Sequence, residues 1–131
     1  KTSLENLGEI GKACRELVLS ASIPKDLGAA ILDNYQRLSD GTPVSVAVRS
    51  SATAEDLPTA SFAGQHDSFL NISGEKELLH AVQKCYASLF NDRAIKYRLD
   101  NGFEHMQVAL SAGIQKMVRS DLGSAGVAFT N

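Results

Sequence analysis

The sequence predicts an α+β (α/β) fold in which helices pack on a small, mainly antiparallel sheet. Three observations predict it. Apolar residues recur at helical spacing over residues 4–38, the period shortens to two after Pro43, and a second strongly amphipathic helical stretch begins near Leu78. At 131 residues the chain can bury one core but is too short for two ordinary domains, so it reads as one domain or part of one.

The first helix opens with Thr2 and Glu5 at capping-box spacing and carries Leu7, Ile10, Cys14 and Leu17 along one stripe. The second opens at Pro24, which suits a first helical turn because its φ is already fixed and its missing N–H is not needed there. Leu27, Ile31, Tyr35 and Leu38 form the buried face of that helix, and Gly41 ends it. Residues 1–42 are thus expected to form an antiparallel helical pair packed on whatever follows.

Val44, Val46 and Val48 then alternate with Ser45, Ala47 and Arg49, the pattern of a strand. Arg49 falls on the face opposite the valines and, by this reading, at the strand's end. From 50 to 65 the chain is small and polar with no helical stripe, which reads as one long loop. Loops of that length in compact domains tend to be lids or binding loops. A second strand is expected over 67–72. Leu78, Val82, Cys85 and Leu89, widened by Leu79, Tyr86 and Phe90, mark a long amphipathic helix that breaks near Asn91 and Asp92 and resumes through Tyr97. Asn101 and Gly102 close it. Residues 108–118 read as a third strand, 121–124 as a turn and 126–130 as a fourth strand completing a hairpin. Residues 43–131 therefore supply the sheet, the long loop and the long helix.

Composition narrows the function classes. A net charge of −2 provides no broad attraction to nucleic acid or to an anionic membrane, so any bound anion must be held by a local cluster of donors. No apolar run approaches membrane-spanning length, and a cytoplasmic protein is the expectation. Cys14 and Cys85 are too few for a disulfide framework, lack the spacing of a zinc site, and read as buried reduced thiols on helix faces. The sequon at Asn71, Ile72 and Ser73 is a short pattern common by chance.

The chemistry centres on Arg49. A guanidinium on a strand, followed by small hydroxyl residues and then Gly64, can surround an anion with charge-assisted and backbone donors. Phosphate suits the planar fork. The same residues also describe a surface arginine beside a solvent loop, and the pattern alone leaves both readings open. There is no Walker A sequence and no dinucleotide-binding glycine triplet.

The segment VAVRSSATAEDLPTASFAGQHDSFLN, residues 46–71, closely resembles a motif of phosphoenolpyruvate synthases, which are pyruvate, water dikinases, and of the related rifampin phosphotransferases. It is joined by ASLFNDRAIKYR at 87–98 and VALSAGIQKMVRSDLGSAGVAFT at 108–130, which are more similar to the synthases. The resemblance implies an ATP-grasp nucleotide-binding domain, of which 1–131 would be part, with ATP held between two lobes. It implies that Arg49 reaches the phosphates and that Gly64 is the loop glycine letting backbone amides approach them. Ser68 would occupy a hydroxyl position, often Thr in relatives. Gln115 would lie near the base, and the backbone around Met117 and Val118 would contact adenine. From the residues alone, Gln115 and Met117 read equally well as core support. By the same resemblance the loop carrying Ser50, Ser51 and Thr53 is a flap over the phosphates.

The resemblance assigns this chain neither a catalytic residue nor a metal ligand. Magnesium accompanies ATP in the family, but its ligands are expected further along than Asn131, and the phosphate-binding lysine before Lys1. Glu55 and Asp56 read as solvated acids. The family's carrier histidine belongs to a separate domain, so His66, His80 and His105 are expected to be structural or surface residues. The implied reaction takes pyruvate, ATP and water to phosphoenolpyruvate, AMP and phosphate, with carrier-histidine and pyruvate-binding domains as partners. The 131 residues alone are expected to be inactive. Two other readings stand beside this one. One is the ATP domain of a rifampin phosphotransferase. The other is a stand-alone binding or assembly module whose open strand edge pairs with a second copy as a homodimer.

Overall fold

The computed structural model describes residues 4–52, 56–57, 60–61 and 67–130. Its elements run α1 (Leu4–Ser20), α2 (Lys25–Ser39), β1 (Val46–Ala52), β2 (Asp56–Leu57), β3 (Ala60–Ser61), β4 (Ser68–Ile72), α3 (Glu75–Ala87), a 3-10 turn (Ser88–Phe90), α4 (Asp92–Asp100), a second 3-10 turn (His105–Gln107) and β5 (Leu110–Lys116). The expected α+β architecture is present. β1 is the centre of a three-stranded sheet of order β4-β1-β5, antiparallel on both sides.

Strand alternation sorts the sheet into two faces. Val46 and Val48 are fully buried against Leu78, Ala81, Val82 and Cys85 of α3, with Tyr35 of α2 completing the cluster. Phe69, Ile72, Leu110, Ala112 and Ile114 pack on the same core from the flanking strands. Phe69 and Ile72 are three residues apart, yet both face inward. Between the pairs Val46 with Ile72 and Val48 with Phe69, β4 carries one extra residue, and Asn71 takes a φ of 57°. That is a bulge, which resets the alternation by one position.

The strand bearing Arg49 is anchored from behind by Tyr35. Its hydroxyl donates to the Val44 carbonyl at 2.8 Å and accepts from the Gly74 N–H at 3.0 Å, tying α2 to the start of β1 and of α3. Asp40, at a φ of 49°, and Gly41, at 83°, end α2 in left-handed backbone, as the glycine led us to expect. Pro24 immediately precedes α2 rather than entering it, and its carbonyl accepts the Gly28 N–H at 2.8 Å.

Several sequence expectations need correction. The inward side of α1 is Leu7, Gly11, Arg15 and Val18, with Cys14 half-buried; Ile10 and Leu17 are 51% and 70% exposed. Gly11 explains the rotation. A Cβ there would lie 2.9 Å from the Phe90 carbonyl oxygen and 3.0 Å from Ile95, so the missing side chain is what lets α1 approach the turn and α4. The two N-terminal helices pack chiefly on α3 rather than on one another. Thr2 lies outside the described residues.

The long loop begins later than expected and is not without regular structure. Ser50, Ser51 and Ala52 continue β1 by pairing with Ala112, Ser111 and Leu110, and β2 pairs with β3 through Asp56 with Ser61 and Leu57 with Ala60. Small hydroxyl residues carry no apolar alternation, but they close ladder hydrogen bonds as well as any others. The long helix breaks at the 3-10 turn and Asn91 as expected, then continues to Asp100. The third strand is shorter than 108–118. No fourth strand forms at 126–130: Val127 and Phe129 are 82% and 93% exposed, and no described strand lies alongside them. Among the described residues, no helix is long and apolar enough to cross a membrane.

Candidate functional site

The face of the sheet turned away from the helices carries Ala47, Arg49 and Ser51 on β1, Ser68 and Leu70 on β4, and Ser111, Gly113 and Gln115 on β5. Arg49 is the fourth of seven residues in the central strand, not at its mouth as the alternating valines suggested. Directly across from it stand Ser68 on one side and Gly113 on the other; Gln115 stands across from Ala47. Paired residues of antiparallel strands hold their Cβ atoms roughly 4.5–5.5 Å apart, so Arg49, Ser68 and Gln115 act within one small area.

A cleft of about 380 Å³ opens over this area. Arg49, Ser68, Gln115, Met117 and Val118 all line it, joined by Ala47, Leu70 and Lys116. Five of the six residues singled out from the sequence are thus brought together, although they come from three separate segments. The sixth, Gly64, lies outside the described residues, as do Thr53, Glu55 and His66.

The electrostatics of the cleft are one-sided. Among the described residues its lining includes Arg49 and Lys116 and no carboxylate. Among the described residues the Arg49 guanidinium has no hydrogen-bond or ion-pair partner, while other arginines nearby do: Arg119 makes two bonds to Asp121, at 2.8 and 2.6 Å. An exposed guanidinium with its donors unspent, beside a hydroxyl and without a competing acid, is prepared for an anion. No sequence pattern marks Lys116 as part of a site. Alternation places it on the row of the buried Val46, so it borders the cleft at the strand's end.

Just past Lys116 β5 leaves the sheet. The Met117 N–H still donates to the Ser45 carbonyl at 2.9 Å, whereas the Met117 carbonyl and the Val118 N–H have no backbone partner among the described residues. A free acceptor and a free donor therefore sit on one trans peptide unit, pointing to opposite sides of it, flanked by the half-buried Met117 and the exposed Val118.

The remaining titratable candidates lie elsewhere. His80 is exposed on α3. His105 accepts a 2.9 Å bond at Nδ1 from Nε of Arg98, a fully buried arginine that also donates to the Leu89 carbonyl. Burial, and then the Arg98 charge, hold the imidazole below its ordinary range, with Glu104 opposing. Cys85 is a buried free thiol pushed up to about 11 by burial and by Asp67; Cys14 is free and half-buried. Among the described residues no three His, Cys, Asp or Glu side chains gather into a group able to hold a metal ion. The described donors therefore do not fit a magnesium site.

A small α+β module with an anion-ready cleft on the open face of its sheet belongs to the class of nucleotide-binding domains. The chain belongs, over residues 1–131, to the family described as pyruvate phosphate dikinase, AMP/ATP-binding domain. It is similar to phosphoenolpyruvate synthases from Helicobacter pylori (54% identical over 132 residues), Aquifex aeolicus (52% over 130) and Escherichia coli (50% over 134). Those alignments cover 98%, 97% and 99% of this chain but only 16%, 15% and 17% of the relatives. The chain thus spans about one-sixth of the length of the relatives it matches.

Proposed function

We propose that this chain is the ATP-binding portion of a phosphoenolpyruvate synthase and that the cleft over β1 holds the nucleotide. The observation that carries the reading is the Arg49 guanidinium, directly across from Ser68 and, among the described residues, without a partner and in a cleft lined by no carboxylate. In this reading Arg49 and Ser68 bind the phosphates. The backbone at Met117 and Val118 contacts adenine through one of its free groups, and Gln115 borders the base. Gly64 supplies backbone amides to the phosphates, as its family resemblance implies.

The contribution of these residues to phosphoryl transfer is positional and electrostatic. A fixed guanidinium neutralises charge that spreads over the phosphate oxygens as the bond to the leaving group lengthens. Magnesium accompanies ATP in this reading and would be held by residues other than those described, supplying positive charge to the phosphates. The acceptor is a carrier histidine in another domain, and a pyruvate-binding domain completes the conversion of pyruvate, ATP and water to phosphoenolpyruvate, AMP and phosphate. An ATP-grasp architecture, with 1–42 as its helical pair and 43–131 as sheet, phosphate loop and long helix, and a cytoplasmic location accord with this assignment. The names of the relatives favour the synthase over a rifampin phosphotransferase.

Amide chemical shifts recorded during an ATP titration test the placement. Saturable shifts concentrated at Arg49, Ser68, Gln115 and Val118 are expected. Shifts confined to the helices, or none at millimolar ATP, would refute it.

A further inference from the structure

Gly113 stands in the middle of β5, on the open face of the sheet, directly across from Arg49. Its neighbours on that face, Ser111 and Gln115, both carry side chains. A glycine inside a strand weakens it, because it packs nothing and loses the most chain freedom on ordering. Such a residue calls for a reason.

The fold itself gives none. The glycines with left-handed φ are Gly41, Gly74 and Gly102, so the backbone at Gly113 is one that any residue adopts. Nor is there a packing reason of the kind seen at Gly11. Among the described residues, a Cβ added at Gly113 would meet only the Arg49 carbonyl oxygen, at an ordinary 3.7 Å. With respect to the described residues, the position has room for a side chain and a backbone suited to one.

What a side chain would occupy is the space beside the Arg49 guanidinium. With Ser68 on one flank and bare backbone on the other, the row through Arg49 carries no side chain on its β5 side. We infer that Gly113 is a positioning residue of the nucleotide site, the bare floor that lets the anionic polyphosphate chain of the ligand lie against the sheet within reach of Arg49. This rests on the reading of Arg49 as the phosphate ligand. It adds a steric requirement: selection for a ligand whose charged chain, not its base, crosses β5 at this row.

The test is calorimetric titration of the 131-residue chain with sodium tripolyphosphate and with ATP, using wild type, Gly113→Ala, Gly113→Val and Arg49→Ala, each with its melting temperature. Gly113→Val is expected to melt no lower than wild type, since valine favours strands, yet to bind both polyphosphates at least tenfold more weakly. Gly113→Ala should fall between. If Gly113→Val binds both within twofold of wild type while Arg49→Ala does not, this inference fails and the cleft assignment survives. If Gly113→Val melts well below wild type, the glycine serves the sheet and the inference fails equally. If wild type binds neither compound, the cleft assignment falls and this inference with it.

Discussion

Replacing Tyr35 with phenylalanine removes one oxygen and keeps the ring in place. That oxygen is both donor to the Val44 carbonyl and acceptor from the Gly74 N–H, so two backbone groups lose their partner at once. Each such bond contributes about 0.5–1.5 kcal/mol net, and a buried group left unsatisfied costs about 1–3 kcal/mol. Both bonds here are only partly buried, so water recovers part of the loss. The expected destabilisation is about 2 kcal/mol, a fall of roughly 8 °C in Tm for a chain of this size. Urea denaturation is the assay, with the m-value expected unchanged because the surface exposed on unfolding is the same. A change below about 0.5 kcal/mol would refute the claim that Tyr35 anchors the lead into the Arg49 strand.

Three further outcomes follow from particular contacts. Gly11→Ala gains about 1 kcal/mol of helix propensity but forces a Cβ against the Phe90 carbonyl, and overpacking of this kind costs about 1–3 kcal/mol; a net loss in urea melts is expected, and a gain would show that α1 does not sit so close. A thiol reagent at pH 8 should label Cys14 in the folded chain and reach Cys85 only on unfolding, because burial keeps that thiol protonated; equal rates would contradict the packing of α3. His105 is held below its ordinary range, so the unfolded chain takes up the proton first; its contribution is intact above about pH 6.5 and declines as the pH falls below that. Stability measured from pH 7 to pH 5 should drop more in wild type than in His105→Gln, and parallel curves would remove His105 from the account.

Much of the site was legible because its signal is local. The valine alternation puts Arg49 on the face away from the core, and that assignment needs only the two-residue period of a strand. The structure moved Arg49 from the strand's end to its middle, since Ser50, Ser51 and Ala52 pair with β5 without any apolar pattern to announce it. What the sequence could not reveal depends on register and on close approach. The orientation of α1 is set by Gly11 meeting the Phe90 carbonyl, a contact between residues far apart in the chain. The bulge at Asn71 lets Phe69 and Ile72 both face inward, against simple alternation. Gly113 becomes informative only once pairing sets it opposite Arg49. At 126–130 the error ran the other way: Val127 and Phe129 alternate as a strand would, but a strand needs a neighbour, and none is present among the described residues.

The central claim is that Arg49 holds the phosphates of ATP, and calorimetric titration of ATP into wild type and Arg49→Ala tests it most directly. A charge-assisted bond of this kind is worth about 1.5–3 kcal/mol, so the account predicts saturable binding weakened roughly 10- to 150-fold by the substitution, with the melting temperature little changed because the side chain is exposed. Equal affinity in the two proteins would contradict it.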